Sequence, residues 1–216
     1  MEGEERMSSG ETTTEIPVAQ TIAAYDDQAA ELAARYAKTD TERFFRWHAE
    51  FLPKPPASVL DIGAGSGVLA DAFAKRGYEV AATEPSSGMA KESLRLFPSN
   101  GVLYFGEALP SLSILKATTG PYEVVVCDAV WMHVPPSDRP EAWDSLAELT
   151  KDGGILTMAV RYGPHPPGRP MHDVDIETFV AEAAENGFTE IKRSTPKPMA
   201  DQSDGSGFVR ICFRRA

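Results

Sequence analysis

Apolar residues recur with a helical period near the start of the chain. They stand three or four positions apart from Ala19 to Tyr36, and the same spacing returns from Phe44 to Leu52. This spacing puts the apolar side chains on one face of a helix. Three prolines within residues 53–56 end the second helix, because proline lacks the N–H that a helix needs. The pattern predicts N-terminal cap helices over residues 16–56, and we expect the polar, acidic residues 1–15 to be a disordered tail.

A different pattern begins at residue 57, where short apolar runs alternate with helical segments. Seven runs predict strands at 57–62, 78–83, 102–105, 122–127, 155–160, 188–193 and 208–213. Asp138 and Asp175 stand where two of the intervening helices need an N-terminal cap. Strands that alternate with helices form a parallel sheet with helices on both faces. The last two runs have no helix between them, so we expect those strands to pair antiparallel.

These elements predict one α/β domain over residues 57–216, built on a three-layer, doubly wound sheet. The chain has 216 residues, a length at which one domain is the default. Sheets of this class bind ligands at the carboxyl ends of their strands. The residues that follow each strand are therefore the first candidates for a functional site.

The charge balance argues against two classes of partner. The chain carries 32 acidic and 21 basic residues, a formal net charge of -11 at pH 7. Nucleic-acid backbones and anionic membrane surfaces both attract proteins rich in Lys and Arg. We therefore expect neither a nucleic-acid nor a membrane partner. No run reaches the length of about 18 apolar residues that a membrane helix needs.

The N-terminal sequence and the cysteines indicate a reducing compartment. The acidic start has the character of neither a secretory signal nor a transit peptide. Cys127 and Cys212 lie far apart within apolar runs. We expect both to be small buried hydrophobic residues, in preference to a disulfide or a redox pair. A cytoplasmic location is the resulting expectation.

A glycine-rich turn follows the first predicted strand, with Asp61 two residues before its first glycine. The segment Val59–Gly67 has the sequence VLDIGAGSG. Glycines let the backbone turn sharply and let a ligand approach closely. A dinucleotide site has the pattern Gly-x-Gly-x-x-Gly, whereas the third glycine here comes one position early, and no Gly-Lys-Ser/Thr follows to make a P-loop. A carboxylate repels a pyrophosphate and attracts an ammonium group, so Asp61 favours a ligand with a positively charged amino-acid end.

Two further acidic residues follow the second and third predicted strands. Glu84 stands 21 positions after Gly63. At about this distance a carboxylate accepts hydrogen bonds from ribose hydroxyls in related sheets. Glu107 can accept from an exocyclic amine such as that of adenine. Each residue alone is more typical of an exposed loop, but together with the glycine turn they favour a nucleoside ligand.

Five segments resemble, in order and spacing, the motifs of class I S-adenosylmethionine-dependent methyltransferases of the small-molecule branch. They are Tyr25–Tyr36, Val59–Gly67, Val80–Met89, Phe105–Pro110 and Tyr122–Val134. The resemblance implies a Rossmann-like sheet of order 3-2-1-4-5-7-6 with strand 7 antiparallel. It also implies S-adenosyl-L-methionine as cofactor and S-adenosyl-L-homocysteine as product. The residues that it places at the cofactor are Tyr25, Asp61, Gly63, Ala64, Gly65, Glu84, Pro85, Met89, Glu107, Ala108, Asp128 and Ala129.

Residues after the fourth and fifth strands are the candidates for contact with a methyl acceptor. His133 is the candidate general base, because an ordinary pKa near 6.5 suits removal of a proton from a nucleophile; a packing histidine is the alternative. The proline-rich loop 161–172 is expected to wall the acceptor pocket. In it, Arg161 suits an acceptor carboxylate or phosphate, or an ion pair with a nearby Asp. The other expected acceptor contacts are Trp131, Tyr162, His165 and His172.

The leading hypothesis is a methyltransferase that acts on an O, N or C nucleophile of a small molecule by in-line transfer. One alternative is a non-catalytic module that binds the cofactor or its demethylated product. Another is a nicotinamide oxidoreductase, against which Asp61 and the glycine spacing argue. No metal is expected, since His165, His172 and Asp173 lack the spacing of a metal site. The sequence leaves open the acceptor and the choice between monomer and homodimer.

Overall fold

Eight strands in the described part of the chain form one mixed sheet at the centre of the molecule. The computed structural model describes residues 15–98, 101–198 and 205–216. The strands are β1 (Ser58–Ile62), β2 (Glu79–Thr83), β3 (Leu103–Phe105), β4 (Tyr122–Asp128), β5 (Thr150–Tyr162), β6 (Phe188–Arg193), β7 (Lys197–Pro198) and β8 (Gly207–Arg215). Their order is β3-β2-β1-β4-β5-β8-β6, with the two-residue β7 beside β8.

This order confirms the predicted topology, in which β8 takes the place of the seventh strand. β1 pairs in parallel with β2 and β4, while β8 is antiparallel to both β5 and β6. The predicted doubly wound α/β sheet is also confirmed. Because both faces of a central parallel strand are covered, its sequence is continuously apolar. Val124, Val125 and Val126 of β4 are accordingly all fully buried.

Eight α-helices accompany the sheet in the described residues. They are α1 (Val18–Asp27), α2 (Ala29–Tyr36), α3 (Thr41–His48), α4 (Val68–Ala74), α5 (Ser87–Leu96), α6 (Ser113–Thr118), α7 (Arg139–Leu149) and α8 (Ile176–Glu185). The predicted helix from Ala19 to Tyr36 is interrupted at Gln28, where φ is -110° and ψ is 9°. The helix α6 was not predicted, because its 6 residues are too few to show a clear period.

The two predicted helix caps have different outcomes. The side chain of Asp175 accepts a hydrogen bond from the backbone N–H of Thr178 at 2.8 Å, as a cap of α8 should. The predicted cap at Asp138 is wrong, since its side chain accepts no such bond. A 3-10 turn over Pro136–Asp138 runs directly into α7, which places the backbone of Asp138 in the helical region, with φ -94° and ψ -10°.

Apolar side chains pack against both faces of the sheet. Val125 belongs to the cluster that contains α7 and α8, whereas its neighbours Val124 and Val126 belong to the cluster with α3 and α4. This alternation follows from the period of two in a strand. The expectation for the cysteines is confirmed, because Cys127 and Cys212 are buried and free.

One carboxylate fastens the N-terminal helices to the sheet domain. Oδ1 of Asp26, at the end of α1, accepts hydrogen bonds from Ser86 Oγ and Gly88 N, both at 2.7 Å. These bonds lower the pKa of the Asp26 carboxyl. Gly88 permits close packing here, since a Cβ at this position would lie 2.8 Å from Cβ of Ala29. The N-terminal helices α1 and α2 therefore contact the turn that follows β2.

The predicted disordered tail falls on residues 1–14, which lie outside the described residues, and on Glu15. The carboxylate of Glu15 accepts hydrogen bonds from N and Oγ of Ser137 at 3.0 and 2.7 Å. The division into a cap (16–56) and a main domain (57–216) stays a prediction. None of the helices in the described ranges has the length and apolar character that crossing a membrane requires.

Candidate functional site

A cavity of about 280 Å³ opens at the carboxyl ends of β1, β2 and β4. The glycine turn forms its floor, and α1 covers it. Twelve of the predicted site residues line it: Tyr25, Asp61, Gly63, Ala64, Gly65, Glu84, Pro85, Glu107, Ala108, Asp128, Ala129 and His133. These residues come from five separate segments of the sequence, and the fold brings them to one place.

Two predicted site residues are buried in the apolar core and do not line this cavity. Met89 is fully buried with Leu32 and Ala33, where it packs α5 against α2 instead of lining the wall. Trp131 is fully buried in the core, with its ring centroid 4.6 Å from that of Trp143. Neither side chain lines the cavity, and the contacts of Met89 with the base and of Trp131 with the acceptor stay predictions. Both side chains are large and apolar, and packing draws them inward.

The glycine turn has the backbone conformation that only glycine adopts without strain. Gly63, Gly65 and Gly67 have φ values of 67°, 56° and 76°. A Cβ at Gly63 would also lie 2.5 Å from Cγ2 of Val130, too close for any other residue. The turn is held in place from β2, since the N–H of Ala64 donates to the carbonyl of Thr83 at 2.8 Å.

Asp61 is a buried carboxylate with an unsatisfied oxygen. It is 3% exposed, and its Oδ2 has no hydrogen-bond partner among the described residues. Burial raises the pKa of Asp61, and the negative charges of Asp128 and Glu84 act in the same direction; together they bring it to about 8. A cation in the cavity would offset this unfavourable charge, whereas a phosphate would add to it. The site therefore suits a positively charged ligand group.

Glu84 supports the glycine turn with its own carboxylate. Its Oε2 accepts from the N–H of Gly65 and its Oε1 from the N–H of Ser86, both at 2.8 Å. Burial raises the pKa of this carboxyl, and the two backbone bonds act against that rise. Each oxygen keeps a second lone pair toward the cavity that Glu84 lines. The predicted contact with ribose hydroxyls stays a prediction that this geometry permits.

Glu107 has a structural partner that the sequence did not indicate. Its two carboxylate oxygens accept from the backbone N–H groups of Ile114 and Leu115, each at 2.8 Å. The side chain thus caps the N-terminus of α6 from the preceding loop. The predicted bond to an adenine amine stays a prediction, and it would have to share these oxygens.

The carboxylate of Asp128 is held by an arginine from a distant strand. Oδ1 and Oδ2 of Asp128 lie 2.7 and 2.5 Å from Nη1 and Nη2 of Arg210 on β8. The predicted place of Asp128 beside the methionine part of the cofactor stays a prediction. Asp128 lines the cavity, and the guanidinium of Arg210 balances its charge.

His133 lies between two hydrogen-bond partners that fix its protonation state. Nδ1 is 3.1 Å from the carbonyl oxygen of Pro170, and Nε2 is 3.1 Å from the hydroxyl of Tyr25. A carbonyl only accepts, so Nδ1 carries the proton and Nε2 accepts from Tyr25. Burial lowers the pKa of His133 to about 4 and raises that of Tyr25. At neutral pH the site therefore holds a neutral imidazole and a protonated phenol.

Four of the predicted acceptor residues line a different cavity, of about 290 Å³, on the far side of Met132 and Met171. They are Arg161, Tyr162, His165 and His172. Their contact with an acceptor stays a prediction, and these four residues do not line the first cavity. The reason is local geometry: Arg161 is buried and donates to the carbonyl of Pro164 at 2.7 Å.

The histidines of this loop have separate partners. Nε2 of His165 lies 3.0 Å from Asp173 Oδ1, and Nε2 of His172 lies 3.2 Å from the carbonyl of Ile16. Over the residues that the structure describes, no three His, Cys, Asp or Glu side chains come together in a way that would hold a metal ion. The loop does contribute to the first cavity, but through the backbone of Pro170.

The sequence missed several residues of the cavity. Val18, Thr21 and Ile22 on α1 line it opposite Val130 and Val134. Their helical spacing is visible in the sequence, but such spacing normally indicates a face packed on a core. These residues could have been identified from the position of their helix, α1, which precedes a sheet that binds ligands.

Comparisons with known proteins agree with this geometry. A family model described as a methyltransferase domain matches residues 33–183. The chain is 31% identical over 117 residues to the ubiquinone biosynthesis O-methyltransferase of Caulobacter vibrioides, covering 54% of this chain and 46% of that protein. The TehB-like S-adenosylmethionine-dependent methyltransferase of Corynebacterium glutamicum superposes with a TM-score of 0.64 at 18% identity, covering 90% of this chain and 98% of that one. The 1,6-didemethyltoxoflavin-N1-methyltransferase of Burkholderia thailandensis, crystallised with S-adenosylhomocysteine, gives 0.68 at 15%, covering 92% and 88%.

These likenesses differ in what they establish. The family match spans well over half of the chain. The solved structures, at their low identities, establish a shared fold. The chain spans less than half the length of the first curated relatives that it matches.

Proposed function

Because this chain belongs to the family of methyltransferase domains, we propose that it transfers a methyl group from S-adenosylmethionine to a protic nucleophile of a small molecule. When bound, that cofactor supplies a methyl group on a positively charged sulfur. The protein's main contribution is then to hold two reactants in line, which lowers the entropy cost of their encounter. The observation that carries the proposal is the buried, unpartnered oxygen of Asp61 in a cavity floored by glycines.

The residues of the cavity fit such a nucleoside at both of its ends. Asp61 offers a carboxylate whose raised pKa falls when an ammonium group lies beside it. Glu84 keeps lone pairs for ribose hydroxyls. Gly65 has no side chain between the turn and the cavity, which leaves room for close approach. The same features disfavour NAD and ATP, because their phosphates would oppose ionisation of Asp61, whereas an ammonium group favours it.

The opposite end of the cavity suits an acceptor without a negative charge. Val18, Ile22, Val130 and Val134 make this part of the wall apolar. Of the described residues that line the cavity, none is Lys or Arg, whereas Asp61, Glu84, Glu107 and Asp128 are acidic. The cation that acts on Tyr25 and His133 is Arg169, whose Nη1 donates to the hydroxyl of Tyr36 at 2.9 Å. A carboxylate or phosphate on the acceptor would have to compete for this arginine while it is desolvated. The acceptor is therefore a neutral, largely apolar molecule.

His133 supplies the proton acceptor for the nucleophile. Its Nε2 carries the lone pair and faces the cavity beside Tyr25. When an acceptor binds, its O–H or N–H can take the place of the Tyr25 hydroxyl as the donor to Nε2 of His133. The proton of the nucleophile can then move to Nε2 along this hydrogen bond. The carbonyl of Pro170 holds Nδ1–H, so the ring keeps its orientation when Nε2 is protonated.

Methyl transfer from labelled cofactor tests the proposal. We expect labelled product from phenols and aromatic amines that lack acidic groups, and little from the same compounds with an added carboxylate. Asp61→Asn should lower the rate at limiting cofactor by at least about tenfold, while Asp152→Asn, an exposed control near the start of β5, should not. Tight cofactor binding without turnover of any acceptor would indicate a binding module instead. Turnover with NAD would indicate an oxidoreductase.

Location and assembly stay predictions from the sequence. A cytoplasmic protein should appear in the soluble fraction of fractionated cells. A monomer or homodimer should give the corresponding mass in light scattering.

A further inference from the structure

Arg210 reaches Asp128 across an intervening strand. β5 lies between β4 and β8, and in register Asp128 pairs with Ala159, which pairs with Arg210. The side chain of Ala159 is too short to block the path. The guanidinium passes over it and meets both oxygens of Asp128, at 2.7 and 2.5 Å. This is the two-point geometry that arginine forms with a carboxylate.

The rest of the structure fixes the arginine in this position. Its guanidinium carbon lies 5.1 Å from the ring centroid of Phe44 on α3. Its backbone N–H donates to Ser194 Oγ at 2.9 Å. The side chain of Arg210 is 25% exposed and that of Asp128 is 23% exposed, so the pair is largely shielded from water. Such an arrangement loses little side-chain entropy on forming the bond.

Asp128 lines the same cavity as Asp61 and lies on β4, a strand that pairs with β1. The charged groups that act on Asp61 are Asp128 on β4 and Glu84 after β2, and the backbone N–H of Ala70 on α4 donates to it. Both carboxylates oppose ionisation of Asp61. Arg210 is bonded to one of the two and places a positive charge behind it.

We propose that Arg210 is a positioning residue for cofactor binding: it fixes the Asp128 carboxylate through two contacts and balances its charge, so that Asp61 can ionise toward a cationic ligand. The inference rests on the proposed function. It extends the site to a strand that contributes no residue to the cavity wall. Without Arg210, the negative charge of Asp128 would act on Asp61 with no positive charge bonded to it.

The test is the affinity for S-adenosylhomocysteine from pH 6 to 9, measured by calorimetry for a double-mutant cycle. Arg210→Met should weaken binding about tenfold at pH 7, which corresponds to about one pKa unit at Asp61. The weakened affinity should recover as the pH rises. In the Asp128→Asn background, Arg210→Met should change the affinity less than about twofold, because Arg210 acts through Asp128.

Two further variants separate this role from a structural one. Arg210→Lys keeps the charge but loses the two-point geometry, and it should bind with intermediate affinity. Arg214→Met, on the same strand, removes a hydrogen bond to the carbonyl of Gly153 and should leave affinity and pH profile unchanged. If the wild type binds S-adenosylhomocysteine, two results would overturn the inference. One is an unchanged affinity in Arg210→Met. The other is that Arg210→Met lowers the affinity as much in the Asp128→Asn background as it does in the wild type. Failure of the wild type to bind would instead count against the proposed function.

Discussion

The hydroxyl of Tyr25 lies 3.1 Å from Nε2 of His133, although 108 residues separate the two in sequence. The bond joins α1 to the loop after β4, across the end of the cavity where an acceptor would lie. Since Nδ1 of His133 is held by Pro170, the Tyr25 hydroxyl occupies the only free lone pair of the ring. An acceptor must replace this bond before its proton can transfer.

His133→Asn should therefore slow catalysis without loss of cofactor binding. We expect kcat to fall by about 10²–10⁴-fold, the usual contribution of a general base. Affinity for S-adenosylhomocysteine should stay within about threefold of the wild type. Tyr25→Phe is the matched variant, and since it removes one hydrogen bond it should lower kcat by less than about tenfold. A normal kcat in His133→Asn would show that the histidine only packs the loop.

A second buried histidine, His48, should make the fold sensitive to acid. Its Nδ1 lies 2.8 Å from the carbonyl of Phe44 and its Nε2 2.8 Å from Thr157 Oγ1. Burial lowers its pKa from 6.5 to about 4. Between these values the unfolded chain is protonated and the folded protein is not, so the free energy of unfolding falls as the pH falls through this range.

The size of this effect can be measured by denaturation at pH 7 and pH 4.5. The contribution of His48 to the decrease is roughly 3 kcal/mol at most. His48→Asn should lose less stability than the wild type over the same interval. His165→Asn, at an exposed position, controls for the removal of one imidazole. Equal losses in wild type and His48→Asn would contradict the prediction.

Two glycines of the turn should respond differently to alanine. A Cβ at Gly65 would lie no closer than 3.7 Å to another protein atom, whereas at Gly67 it would lie 2.1 Å from Ser93 Oγ. Both positions have positive φ and carry a similar backbone strain of about 1 kcal/mol. Gly65→Ala should fold and bind S-adenosylhomocysteine weakly, because its methyl group would occupy the floor of the cavity. Gly67→Ala should lose at least about 2 kcal/mol more stability in thermal denaturation.

Asp61→Asn should make the ligand-free protein more stable at alkaline pH. The folded state keeps Asp61 protonated up to about pH 8, whereas the ordinary value is 3.8. Over that range the folded protein binds one proton more than the unfolded chain, so stability falls as the pH rises. Asparagine removes this effect, and the gain should reach the order of a few kcal/mol at pH 8. Melting temperatures of both proteins at pH 5 and pH 8 test it, and a constant difference would contradict it.

The sequence alone identifies those site residues whose role depends on neighbours within one strand–turn–helix unit. Asp61 is recognisable because it precedes the first glycine of the turn by two residues, and β4 because a doubly covered strand is continuously apolar. Glu84 is recognisable in the same way, because it stands 21 positions after Gly63, the first glycine of the turn. These features belong to single strand–turn–helix units, whose geometry leaves little choice.

The sequence was insufficient where partners meet only in the folded sheet. Arg210 lies 82 residues from Asp128, and their contact depends on the order β4-β5-β8. The partner of His133 is a backbone carbonyl at Pro170, which no side-chain pattern indicates. Arg161 was assigned to the acceptor because it ends a strand beside the site, but its side chain turns into the second cavity.

Calorimetric titration of the wild-type protein with S-adenosylhomocysteine, at pH 7 in two buffers of different ionisation enthalpy, tests the central claim about Asp61 most directly. If the ligand's ammonium group ionises a carboxyl whose pKa is about 8, close to one proton should be released on binding. Asp61→Asn should bind weakly and release none. Binding with no proton release, or with equal affinity in Asp61→Asn, would contradict the account.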